Sequence, residues 1–301
     1  MNTIPQDQSA ERSLERLAAQ RQLYSDAKRV QAVHMVFSVP IVVGWSLLVI
    51  AVPDAKVYAA TWGIVVAVFD VILFTPWQKT LKQKAAKIQE LFDCDVMRLA
   101  WQEIKVGRRP EPETVKLAAQ RYKKAEPDYV TLKNWYPPEV GQLPIELARI
   151  ICQRINCWWD ADLRRRYAAT IISIVAMLAL VVFLLALIGG LTVEKLVLAV
   201  LVPLLPAFIL GIRQFSEHRD SAAKADRLRH HAEDLWAKAM LGEANPDELT
   251  KCARDLQDEI HSNRCISPLI FDWVFRRLRA GKEDVANKSA SELVAEALSK
   301  K

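Results

Sequence analysis

The sequence predicts an all-α polytopic membrane protein: four transmembrane helices in two hairpins, with a helical bundle on the cytoplasmic side. Three observations lead there. Ala168 to Leu191 is a run without a single charge, and Leu196 to Ile212 is apolar again after a short break holding Glu194 and Lys195. At about 1.5 Å per residue, roughly 20 apolar residues cross a hydrocarbon core about 30 Å thick. Between and around such runs the chain is strongly charged. Its 301 residues are 51% hydrophobic and 25% charged, with a net charge of +6. No strand-like alternation of any length appears, and Gly is scarce, which favours helices throughout.

The elements follow in order. Residues 1–34 form a cytoplasmic N-terminal segment. Ser9 to Val33 reads as an amphipathic helix, with Leu14, Leu17, Tyr24, Ala27 and Val30 near the 3.6 period and Arg12, Arg16, Arg21, Lys28 and Arg29 between them. The pattern suits a membrane surface or a packed helix equally. Met1 to Gln31 has no apolar core of the kind a signal peptide carries. Residues 35–77 form the first hairpin: Met35 to Val52, a tight turn at Pro53-Asp54-Ala55-Lys56, then Val57 to Trp77. Pro40 falls in the first two turns, where a missing N–H costs least. Trp77 suits an interface.

Residues 78–167 form a cytoplasmic helical loop. Leu81, Ala85, Ile88, Phe92, Val96 and Leu99 share one helix face, and Gly107 and Pro110 are the expected stop. Glu113 to Lys124 reads as a helix. A turn rich in Pro and aromatics follows, with Trp135, Tyr136, Pro137 and Pro138. The helix from Ile145 to Tyr167 should then run into the third span, with Trp158-Trp159 and Arg164 to Arg166 as a collar at headgroup level. Residues 168–212 form the second hairpin, turning at Gly189-Gly190. Residues 213–301 form the cytoplasmic tail: one helix to Leu241 stopped by Gly242, another opened by Asn245-Pro246, a third opened by Ser267-Pro268, and a weakly amphipathic, mobile end.

Orientation comes from the basic residues. Of the 41 Lys and Arg, only Lys56 and Lys195 lie in the hairpins. Both termini and the central loop are therefore expected in the cytoplasm. Little would project outside, which argues against an external ligand.

Several residues could carry a mechanism. Asp70 is the one acid in the first three spans; it either pairs with a Lys or Arg near the inner rim or lines and gates a pore. Pro203 and Pro206 lie mid-span in the fourth helix and favour a kink, which serves a gate or a static bundle alike. The clusters Arg108-Arg109, Lys123-Lys124 and Arg164-Arg165-Arg166 could contact an anion, a nucleotide or lipid headgroups, although solvated faces explain much of that charge. No phosphate-cradling glycine loop is present. Cysteines 94, 152, 157, 252 and 265 are an odd count expected to stay reduced, and His261 with Cys265 is too little for a metal site. His218, His230 and His231 read as exposed. No catalytic motif stands out, so neither an enzyme nor a cofactor is expected.

Five segments are distinctive: RLAAQRQLYSDAKR (16–29), FTPWQKTLKQKAAKIQELFDCDVMRLAW (74–101), VGRRPEPE (106–113), NWYPPEVG (134–141) and LARIICQRINCWWDADLRRRYA (147–168). They resemble the bacterial SMODS-associated four-transmembrane family of pore-forming effectors. The resemblance implies a toxic membrane effector in a cyclic-oligonucleotide anti-phage system. A partner nucleotidyltransferase would make the messenger, and the effector would respond by breaching the inner membrane. It supplies no catalytic residue and no ligand-binding residue. Four spans cannot enclose a wide channel, so a pore requires a homo-oligomer in the lipid bilayer. Two other classes compete: a non-pore membrane scaffold or signalling subunit, and a membrane enzyme acting on lipid or nucleotide.

Overall fold

A computed structural model of the protein describes residues 1–190, 192–195, 197, 202–279 and 282–300. Among the described residues every regular element is helical. The chain opens with α1 (Ile4–Ser9) and α2 (Glu11–Ser38), separated by an extended Ala10 at ψ 144°. The expected single helix over 9–33 is thus broken at its start and longer at its end. It is also packed rather than laid on a surface. Leu17, Ala18 and Ala27 are fully buried, and the helix leans on α5 and α7.

The first apolar segment differs from expectation. Val39 takes φ −121° and ψ −72°, and α3 (Pro40–Ala51) starts afresh at Pro40. Pro has no N–H to give and its ring collides with the carbonyl four residues back, so the helix from α2 cannot run through it. Residues 35–52 are therefore two helical pieces, not one continuous helix. A 3₁₀ turn at Pro53–Ala55 leads into α4 (Lys56–Phe69), a π turn (Asp70–Phe74) and α5 (Thr75–Val96).

The α5 helix stops at Val96, short of the expected Gly107. Arg98 turns the chain at φ +52°, and the Leu99 N–H bonds back to the Cys94 carbonyl. Leu99 is buried by this fold-back, not by continuing the helix. One-turn α6 (Glu103–Val106) and α7 (Pro112–Lys123) follow. Then α8 (Ile145–Ile188) runs 44 residues without a break. Gly190 turns out of it at φ +58° towards the one-turn α9 (Val193–Lys195). Part of the expected fourth span, residues 196 and 198–201, lies outside the described residues. The long α10 (Val202–Leu241) ends at Gly242, whose φ of +72° suits glycine.

The tail corrects two further expectations. Asn245 caps α11 (Pro246–Ile266) by accepting the Glu248 N–H, as its sequence suggests. Ser267-Pro268, however, opens no helix. The carbonyls of Ile266 and Ser267 accept from Lys82 Nζ, and that of Pro268 accepts from Arg164, which holds the strand of chain extended until α12 (Asp272–Arg279). The last element, α13 (Lys282–Ser299), is docked, not loose. Ala290, Val294 and Ala297 are buried, and Trp236 Nε1 donates to Glu296 at 3.0 Å.

Two materials result. One is a water-facing bundle of α1, α2, α7, α11, α13 and the polar halves of α5, α8 and α10, around Leu17, Ile88, Phe92, Tyr136, Ile150 and Ile151. The other is an apolar part in which large side chains face outward: Ile64, Val71 and Ile72 near the α4–α5 junction, Ile174, Met177 and Leu187 on α8, and Leu205, Ile209 and Ile212 on α10. Among the described residues two helical runs, Val57–Val96 and Ile145–Leu184, are long and apolar enough to cross a membrane. The α8 and α10 helices approach closely at Gly211, where a Cβ would stand 2.4 Å from Val175 Cγ2.

Candidate functional site

The turn before α8 is pinned from both sides. Gln8 donates to the Tyr136 carbonyl at 2.9 Å and accepts its N–H at 2.7 Å. This presents Trp135 beside a cleft of two lobes that share lining residues. The smaller, about 190 Å³, is lined by Tyr24 and Lys28 of α2, Arg164 of α8, and Asn263 and Arg264 of α11. The larger, about 640 Å³, is lined by Lys133, Asn134, Arg276 and Asn287. Arg21, Trp135, Asn156, Trp159 and Phe275 line both. The larger lobe alone falls in the range of about 300–1,000 Å³ common to small-ligand sites.

The lining is basic and aromatic. Arg21, Lys28, Lys133, Arg164, Arg264 and Arg276 face a single acid, Asp160. The Arg21 guanidinium lies between two rings, 5.5 Å from the Trp135 centroid and 4.5 Å from that of Phe275. Arg164, Arg264 and Lys28 are held by carboxylates. Arg164 Nε donates to both Asp160 oxygens at 2.9 Å, and Arg264 pairs with Asp93 at 2.5 Å. Lys28 Nζ donates to Asp272 Oδ1 at 2.6 Å, while Ser25 Oγ donates to Asp272 Oδ2 at 2.8 Å. Burial lowers the Lys28 pKa, and the Asp272 charge works against that fall. Burial also opposes the Asp272 carboxylate, but the Lys28 ammonium and the two hydrogen bonds outweigh it and hold its pKa down.

Two buried polar atoms in the smaller lobe, Asn263 Oδ1 and Ser267 Oγ, have no hydrogen-bond partner among the described residues. Such an atom costs about 1–3 kcal/mol. Cations for phosphate oxygens, rings for base stacking and amides for base edges are the chemistry of nucleotide recognition. Among the described residues no group of His, Cys, Asp and Glu is placed to hold a metal ion.

Beneath the cleft lies a buried charge network. Glu90 and Asp93 of α5 are fully buried. Arg254 meets Glu90 at 2.7 Å, and Gln257 Nε2 donates to both Glu90 at 2.8 Å and Asp93 at 3.0 Å. Tyr136 Oη donates to Asp93 at 2.6 Å. This network locks α5 to α11 and to the Trp135 turn, and so fixes one wall of the cleft.

The residues singled out in the sequence do not gather in one place. Arg164 lines the cleft, but it is buried, whereas the collar at headgroup level requires an exposed side chain. Arg165 pairs with Asp226, and Arg166 with Asp162 at 3.0 Å. Arg108 and Arg109 are exposed, Arg109 over the Trp101 ring; Lys123 and Lys124 are exposed, Lys123 over Tyr129. Among the described residues Asp70 meets no Lys or Arg at ion-pair distance. It accepts from Thr75 Oγ1 at 2.8 Å and stands 3.5 Å from His34 Nε2, whose ring stacks on Phe74. It thereby ties the end of α2 to the π turn. Pro203 and Pro206 fall in the helical run that begins at Val202. His218 is not exposed as expected but fully buried, edge-on to Tyr167; burial, aided by the Arg164 charge, pushes its pKa down to about 3.

Most of the cleft escaped the sequence reading. Arg21, Tyr24 and Lys28 recur at spacings of three and four, which puts them on one face of α2. That cation–aromatic–cation face was the available signal, and it was absorbed into the amphipathic stripe. Asn263 and Arg264 gave none, because their role depends on how α11 crosses α5.

Fold and site together define a helical protein with membrane-length apolar helices and a basic, aromatic cleft in its water-facing bundle. The chain belongs to the family described as the SMODS-associating 4TM effector domain, whose model matches residues 2–293. It is also similar to a Bacillus cereus (strain VD146) protein named as a probable CBASS effector molecule, with 25% identity over 284 residues, covering 92% of this chain and 93% of that one. No solved structure matches it.

Proposed function

We propose that the protein is a membrane effector of anti-phage defence, gated by a cyclic oligonucleotide from a partner nucleotidyltransferase and opening the inner membrane as a homo-oligomeric pore. Four spans in two hairpins, with both termini and the central loop in the cytoplasm, make up its membrane topology. The observation that carries this reading is the band of outward-facing apolar side chains on four separate helices: Leu48 of α3, Ile64 and Val68 of α4, Ile174, Met177 and Leu187 of α8, and Leu205, Ile209 and Ile212 of α10. Water would not tolerate a contiguous patch of this kind, and lipid would. The basic residues outside the two turns support the orientation. Membership of an effector family and the similarity to a named probable CBASS effector support the role in defence.

In this reading Asp70 is a tie between α2 and the spans, Pro203 and Pro206 shape the fourth span, and no catalytic step is needed. Messenger binding favours an assembled open state over a closed one. The test is dye release from liposomes carrying the purified protein, with cyclic di- and trinucleotides added one at a time. Release with one of them and not the others is expected. Silence with all of them, from protein shown to be folded and inserted, would favour a non-pore membrane scaffold.

A further inference from the structure

We propose that the two-lobed cleft is the messenger site, taking a nucleotide of two or more base–phosphate units, and that Asp272 is a resident competitor for its cation Lys28. The inference rests on the gated-effector reading for its biology, but its chemistry comes from the cleft. The Arg21 guanidinium carbon lies 5.5 Å from the Trp135 centroid and 4.5 Å from that of Phe275, and all three residues line both lobes, so a phosphate beside Arg21 would have rings nearby for its bases. Asn156 lines both lobes, and Asn263 and Ser267 line the smaller one. Two lobes sharing one basic, aromatic centre fit a repeated unit better than a mononucleotide.

The Lys28–Asp272 pair gives the site a reporter. Asp272 is the first residue of α12, and its carboxylate holds Lys28 and Ser25 of α2. A phosphate anion competes with the carboxylate for the same ammonium. Its arrival at Lys28 would release α12 from α2. The α12 helix is not a remote flap. Val274 is buried with Leu163 and Tyr167 of α8, and Ile171, one turn further along, packs on the same cluster at the start of the apolar run. Phe275 and Arg276 of α12 line the cleft itself. A ligand that loosens Asp272 therefore acts where the bundle meets the third apolar segment.

The experiment uses the full-length protein in liposomes and two readouts, equilibrium binding of radiolabelled nucleotide and dye release. The probes are cyclic di-AMP, cyclic di-GMP, cyclic GMP–AMP and cyclic tri-AMP, with AMP as comparator. Lys133→Glu with Arg276→Glu alters two exposed residues and should leave thermal unfolding unchanged while weakening binding about ten- to hundredfold. Asp272→Asn should tighten binding about tenfold and lower the concentration that releases dye. AMP should bind at least about tenfold more weakly than the preferred probe. Dye release unaffected by either variant would overturn the site and leave the gated pore standing. Saturable binding lost in the double variant, without dye release, would keep the site and sink the gated pore. Neither binding nor release would overturn both.

Discussion

Replacing Arg254 by Met removes one charge from the buried network and nothing from the cleft. Arg254 is buried, and its Nη2 donates to Glu90 at 2.7 Å and Asp258 at 2.8 Å, while Nη1 donates to the Ala100 carbonyl at 3.0 Å. Met keeps most of the stem's volume. Glu90 is left with Gln257 Nε2 at 2.8 Å and the Cys94 thiol at 3.3 Å, neither of them charged. Burial and the neighbouring Asp93 charge already raise the Glu90 pKa, and Arg254 is the main force holding it down. Stripping one partner from a buried pair costs about 3–5 kcal/mol. Protonation of Glu90 caps that cost and sets its sign with pH. The folded variant keeps a proton that the unfolded chain releases above about pH 4.3. Its deficit against the parent therefore widens as pH rises through the raised pKa. Thermal unfolding in detergent, followed by circular dichroism at pH 5 and pH 8, reads this out. At about 2–4 °C per kcal/mol for a large domain, the deficit at pH 8 is roughly 6–20 °C, and smaller at pH 5. Adding Glu90→Gln should recover at least about 1 kcal/mol, because the amide carries no charge to strand. A deficit under about 1 kcal/mol, or one equal at both pH values, would refute the account of the network.

Other positions give sharper local tests. His218 is depressed to about 3 and His261 to about 4, both chiefly by burial. An unfolded histidine takes its proton near pH 6.5 and the folded ones do not, so stability should be full above pH 7 and fall as pH drops towards 4, and His218→Phe should flatten part of that slope in urea titrations. Gly211→Ala drives a methyl into Val175 and should cost about 1–3 kcal/mol, with Val175→Ala restoring most of it in the same melting assay. Asp70→Asn keeps an acceptor for Thr75 and should leave dye release within about twofold. Abolished release with nucleotide binding intact would show instead that the pore depends on that acid.

What was legible in the chain was whatever repeats along it. The apolar runs, the long helix through Tyr167 and the cap at Asn245 are local patterns, and the structure has them. What failed was decided by partners distant in sequence. Leu99 fits the stripe of α5 by spacing, yet it is buried by a turn at Arg98 that carries neither Gly nor Pro. Ser267-Pro268 has the chemistry of a helix start, but Arg164 and Lys82 take the carbonyls around it. His218 looks solvated among Glu217, Arg219 and Asp220, and only the crossing of α10 over α8 buries it against Tyr167. The cleft is the extreme case. Its wall residues come from α2, α8, α11, α12 and the Trp135 turn, so no window of sequence contains it.

The same geometry bears on how a bundle could act on spans. The α5 helix enters the apolar part through a π turn, and α8 enters it with no break at all. A helix without a break carries a tilt at one end to the other, because bending it costs backbone hydrogen bonds. The α2–α3 junction is different. It is cut at Val39 and Pro40, and its end is held to the π turn by His34 and Asp70. On the proposed topology the first span thus meets its bundle helix at a break, while the third runs on from its own without one.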